Sequence, residues 1–185
     1  TQPIKGTIRR ENDINNDLRN INYLNNNSKE LSENHMIVDL VRNDLSRIAK
    51  KGTVTVKELS TLYSFKNVHQ LISTVEAEIS NSTKISKILE STFPMGSMTG
   101  APKIRSMELI EEFEKTQRGI YSGAVGYITP KKDFDFNVVI RSIIYDSQRN
   151  NLNINVGSAI TFASDPDQEF NECKLKAEAM ISSLK

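Results

Sequence analysis

The sequence predicts an α+β domain with helices flanking a largely antiparallel sheet, and three observations carry that expectation. Lys29–Ala49 repeats apolar residues at helical spacing, whereas Asn67–Ile79 places them at every second position. Between Gly119 and Thr161, strand-like segments are separated only by PKKD and DSQRN, polar stretches of hairpin length that leave no room for crossover helices.

In chain order, TQPIKGTIRR opens on a proline–glycine turn around Lys5. Glu11–Asn27 is rich in Asn and Asp and reads as an exposed loop, although Ile14, Leu18, Ile21 and Leu24 are spaced for a short helix. Ser28 is the expected N-cap of the long helix, whose apolar side carries Leu31, Ile37, Leu40, Val41, Leu45 and Ile48. Gly52 stops it, and TVTV reads as a short strand. In the alternating segment, Leu71, Val75, Ala77 and Ile79 share a face with His69. Lys84–Ser91 is a helix, FPMGSMTGAPK a loop, and Pro102 suits the first turn of a helix running to Lys115. Strands are expected at Gly119–Thr129, Phe134–Tyr145 and Leu152–Thr161. Asp165 caps a last helix with Pro166 at its first position.

With 185 residues, 37% of them hydrophobic, the chain is long enough for one cored domain. Twenty-four basic against 23 acidic residues leave a net charge of +1, with no field or basic run to attract nucleic acid or a membrane surface. No apolar stretch reaches membrane-spanning length and no signal peptide is evident. The lone Cys173 cannot form an internal disulfide, which fits a reducing, cytoplasmic setting.

Two identical acidic spacings stand out. Glu30 and Glu33 are three residues apart on the first long helix, and Glu169 and Glu172 are three apart on the last. Each pair shares a helix face, and converging helices would gather hard oxygens suited to Mg²⁺. Such pairs are also common on solvated faces. Lys176 follows Glu172 by four, which fits either a surface pair or a cation meeting a substrate carboxylate. GSMTGAPK lacks the phosphate-loop spacing but feeds a helix N-terminus, where anions are favoured. Asp39 and Arg42 read as a partly buried ion pair, and His69 as a hydrogen-bonded core residue. Arg141, amid Val138, Val139, Ile140, Ile143 and Ile144, needs an anionic partner if buried.

Taken together, PIKGT, KELSENHMIVDLVRNDL, VHQLISTVEAEI, FPMGSMTGAPKIRSMELIEE, RGIYSGAVGYI, VIRSIIY, NVGSAIT and DQEFNECKLKAEAM resemble, in order, the chorismate-utilising enzymes. The resemblance covers nearly the whole chain except Ile8–Ser28, and it implies the C-terminal part of that family's α/β sandwich fold. It implies Mg²⁺ held by Glu33 and Glu172 directly, with Glu30 and Glu169 acting mainly through water. Tyr121, Arg141 and backbone near Gly157 would bind the enolpyruvyl carboxylate, and Gly6 and Thr7 would line the ring pocket. Thr99 joins the substrate-binding set, Lys176 sits beside the metal-bound carboxylate, and His69 matches an active-site histidine.

Most members carry a small residue where this chain has Lys5, and lysine there resembles the aminodeoxychorismate synthase branch. The implied chemistry is attack of the amine on ring C2, loss of the C4 hydroxyl, and displacement of the lysine by ammonia at C4. The ammonia would come from a glutamine amidotransferase subunit. An amine attacks in its neutral form, which desolvation and nearby positive charge favour. The resemblance further implies a region upstream of Thr1 that completes the fold and carries the acid for the leaving hydroxyl. Three readings compete with this one: an anthranilate synthase or another chorismate enzyme, a catalytically idle chorismate- or metal-binding subunit, and a structural domain with surface glutamates.

Overall fold

A computed structural model describes residues 1–162 and 164–184, arranged as two compact units, Thr1–Phe113 and the residues from Glu114 onward. The first unit contains β1 (Ile4–Arg9), α1 (Ile14–Asn26), α2 (Ser28–Ser46), β2 (Thr55–Ser64), β3 (Val68–Glu76), α3 (Ile85–Thr92) and α4 (Lys103–Phe113). Its sheet is antiparallel with order β1-β3-β2, and α2 packs across all three strands. The central strand β3 buries His69, Leu71, Ser73 and Val75 on its α2 side, as the alternation predicted. With Leu24 of α1 and Ile37, Val38 and Leu40 of α2 they form the core.

Helix α2 starts one residue earlier than the sequence predicts. Asn27 is its cap, and the side chain accepts from the backbone N–H groups of Lys29 and Glu30 at 3.0 and 3.2 Å. The Asn-rich stretch is no loop, because Asp13 caps α1 and accepts from the Asn16 N–H at 2.9 Å. β2 extends far beyond TVTV, carried by pairing with β3 rather than by its own alternation. The opening segment is a strand with a β-bulge instead of a turn. Ile4 pairs with Ile72 and Thr7 with Gln70, so three steps on β1 match two on β3, and Gly6 has φ +83°.

The second unit contains two hairpins, β4 (Ala124–Ile128) with β5 (Phe134–Val138) and β6 (Ile143–Asp146) with β7 (Asn151–Ile154), then α5 (Pro166–Ser182). Each hairpin is a separate two-stranded sheet. The expected strand Phe134–Tyr145 is interrupted where Val139 exchanges hydrogen bonds with Ser122 and Gly123 and Arg141 takes φ +51°. Asp165 caps α5 and Pro166 opens it, as the sequence predicts. Among the described residues, no helix is long and apolar enough to cross a membrane.

Candidate active site

The bulge decides where Lys5 points. Ile4 and Thr7 share the face of Ile72 and Gln70, and the extra residue leaves Lys5 and Gly6 directed at α2. The Lys5 Nζ donates to Glu33 Oε2 at 3.4 Å, and both side chains are largely buried. Lys29, one turn before Glu33, places its Nζ 4.0 Å from Oε1. Glu30 turns toward the same bulge. A β-carbon added at Gly6 would lie 3.3 Å from Glu30 Oε2 and 3.2 Å from Leu24 and Leu71. Gly6 therefore keeps open both a positive φ and the space that Glu30 uses.

These two carboxylates fit a hard divalent cation in donor type, since Mg²⁺ takes one or two carboxylates and fills its remaining positions with water and substrate oxygens. Glu33 already carries a cationic partner in Lys5. No three His, Cys, Asp or Glu side chains among the described residues gather into a metal-holding group. Glu30 and Glu33 lie on α2 of the first unit, and Glu169 and Glu172 lie on α5 of the second.

A polar network also reaches into the core of the first unit. His69 is 1% exposed; its Nε2 lies 2.9 Å from Asp17 Oδ1 and its Nδ1 2.8 Å from Ser64 Oγ. Asp17 also accepts from the Glu11 N–H at 3.0 Å and from Arg10 Nη2 at 2.9 Å. The Glu11 backbone donor, then His69 and Arg10, hold the Asp17 carboxyl well below the usual carboxylate range. Gln70, the next residue on β3, faces the other way and donates to Thr7 Oγ1 at 3.2 Å.

Thr99 ends a short 3₁₀ turn, Gly96–Met98, and its hydroxyl donates to the Met95 carbonyl at 3.2 Å. The loop around it is tied to α2 by a buried ion pair, Lys103 Nζ to Asp44 Oδ2 at 2.6 Å, with a second bond to the Pro94 carbonyl at 2.8 Å. The Asp39–Arg42 pair expected to be partly buried is instead a solvated pair at 2.8 Å, because both residues fall on the outer face of α2.

In the second unit, Lys176 forms an ion pair with Glu172 and donates to the Gly157 carbonyl at 2.9 Å. A β-carbon at Gly157 would stand 2.9 Å from Tyr121 Oη, so the glycine admits the phenol. Burial pushes the Tyr121 hydroxyl up, against the opposing influence of Arg118 and Arg141. Glu169 is buried and accepts from Ser158 Oγ at 2.5 Å. Arg141 sits exposed at the break between β5 and β6, so it does not face the buried environment that its apolar neighbours imply.

The sequence reading missed Asp17, Gln70 and the Asp44–Lys103 pair. It missed Lys29 as well, which did leave a local signal, its spacing of four from Glu33.

Comparison with known proteins identifies the family. Residues 1–182 match the model of the chorismate binding enzyme family. The chain is 42% identical over 178 residues to a protein of Oryza sativa subsp. japonica named as a probable chloroplastic aminodeoxychorismate synthase, covering 96% of this chain and 20% of that one. It is 36% identical over 184 residues to anthranilate synthase component 1 of Aquifex aeolicus, covering 100% of this chain and 37% of that protein. The crystal structure of anthranilate synthase component I from Streptococcus pneumoniae superposes with a TM-score of 0.80 at 31% identity, over 97% of this chain and 39% of the other. The chain thus spans well under half the length of these relatives, and within that span it belongs to the chorismate-binding enzymes.

Proposed function

We propose that the protein of which this chain is part aminates chorismate to 4-amino-4-deoxychorismate, with Lys5 as a covalent nucleophile. The observation that carries the reading is the β1 bulge, which aims a lysine amine at the acidic face of α2 instead of at solvent. Similarity to proteins named aminodeoxychorismate synthase at 40–43% identity supports the same branch.

In this scheme the Lys5 nitrogen forms a bond to ring C2 as both ring double bonds shift, through C1, C6 and C5, and the C4 hydroxyl leaves. A proton from an acid expected upstream of Thr1 lets it depart as water. Ammonia, supplied by a glutamine amidotransferase subunit, then bonds to C4. Both double bonds shift back, the C2–nitrogen bond breaks, the lysine recovers its electron pair, and the new ammonium at C4 returns a proton to the conjugate base of the acid. Two displacements place the new amine para to the ring carboxylate.

Glu33 and Glu172, assisted by Glu30 and Glu169, would hold Mg²⁺, which supplies charge neutralisation and polarisation of the ring carboxylate when bound. Lys176 would meet that carboxylate, while Tyr121, Arg141 and the Gly157 backbone take the enolpyruvyl carboxylate. Gly6, Thr7 and Thr99 would bound the ring. His69, with both ring nitrogens bonded within the chain, enters as a positioning residue for β3.

The rival reading, direct attack of ammonia on C2 to give the ortho product, draws on the anthranilate synthase relatives. The test is an intact-mass measurement of the full-length protein with chorismate and Mg²⁺ but no ammonia. An adduct mapping to Lys5, with para product once ammonia is added, is the expected result. Ortho product with no adduct, or para product formed at the parent rate by Lys5→Ala, would overturn it.

A further inference from the structure

We infer that Lys5 and the metal compete for Glu33, so that the lysine of the β1 bulge serves as the site's own counter-ion until a divalent cation displaces it. This rests on the metal reading of Glu30 and Glu33 proposed above. Glu33 is 8% exposed, and a carboxylate so far from water needs a compensating charge. Two lysines supply it, Lys5 at 3.4 Å from Oε2 and Lys29 at 4.0 Å from Oε1. The two are not equivalent. The Lys29 side chain is 37% exposed and 4.0 Å away, whereas Lys5 is 19% exposed, closer, and directed at Glu33 from the bulge.

A cation entering beside Glu30 needs the lone pairs of Glu33 that Lys5 occupies, and it adds two positive charges next to an ammonium group. Both effects oppose binding while Lys5 stays in place. Release of the lysine from Glu33 and capture of the metal are therefore one exchange. The nucleophile is freed only in the form of the protein that is ready to hold the substrate's carboxylate.

The test is Mg²⁺ titration by calorimetry on the full-length protein without chorismate, comparing the parent with Lys5→Met and Lys5→Arg. Lys5→Met removes the competing charge and is expected to bind Mg²⁺ about tenfold more tightly. Lys5→Arg retains a cation and is expected to stay near the parent affinity. The rise in melting temperature with saturating Mg²⁺ should likewise be larger for Lys5→Met than for the parent. Equal or weaker binding by Lys5→Met, in a variant that still unfolds cooperatively, would overturn the competition alone. Absence of Mg²⁺ heat from parent and variants alike would remove the metal reading itself and this inference with it.

Discussion

His69 Nε2 lies 2.9 Å from Asp17 Oδ1, a buried contact that joins β3 to α1 across 52 residues of sequence. Because Glu11, His69 and Arg10 all donate to Asp17, its folded-state carboxyl is held below the ordinary range. The sign of the linkage follows. A depressed folded pKa gives stabilisation that is fully present above the unfolded value of about 3.9 and lost as pH falls below it toward the folded value. Asp17→Asn is expected to lower the melting temperature by several degrees at pH 7, and the gap to the parent should narrow below about pH 4. Thermal unfolding at a series of pH values checks this; a gap independent of pH would remove the charge from the explanation.

How much of this was legible in the sequence depends on how local each feature is. The Asp165 cap, Pro166 and the alternation of His69, Leu71 and Val75 were readable because their causes lie within a few residues. The role of Asp17 was not, since its partners sit 7 and 52 residues away in a stretch without a motif. The bulge at Lys5–Gly6 reads as a turn in sequence, because proline and glycine mark both and only the pairing with β3 tells them apart. VVIRSII looks like one strand in sequence, yet Val139 accepts from the Ser122 N–H and donates to the Gly123 carbonyl, and β5 ends at Val138, before Arg141.

Gly6→Ala should cost about 1–2 kcal/mol from the positive φ alone, with further loss from contacts at 3.2–3.3 Å to Leu24, Leu71 and Glu30. Urea denaturation measures the stability change. The same variant should bind Mg²⁺ more weakly, because Glu30 must give way to the new methyl. Parent-like stability would mean that the bulge relaxes without needing glycine.

The Lys103–Asp44 pair makes a different prediction. Its two side chains are 13% and 5% exposed, and Asp44 Oδ1 has no hydrogen-bond partner among the described residues, so removing the lysine strands a buried charge. Lys103→Met is expected to destabilise the protein by about 3–5 kcal/mol, and adding Asp44→Leu should recover much of that loss. Denaturant titration of the single and double variants decides. Additive losses would show that the pair is not electrostatically coupled.

Tyr121 and Gly157 test the substrate end of the proposal. The phenol reaches the Gly157 backbone only because residue 157 has no side chain, and burial raises the hydroxyl's pKa, which keeps it a proton donor at neutral pH. A donor to a substrate carboxylate is worth about 1.5–3 kcal/mol, so Tyr121→Phe should raise KM for chorismate by roughly ten- to a hundredfold. Gly157→Ala should act in the same direction, since its methyl group displaces the hydroxyl without removing it. Both variants should retain kcat within a few fold and leave Mg²⁺ affinity in the absence of chorismate unchanged, because neither touches a proposed metal ligand. A fall in kcat at constant KM would instead assign Tyr121 to the chemical step.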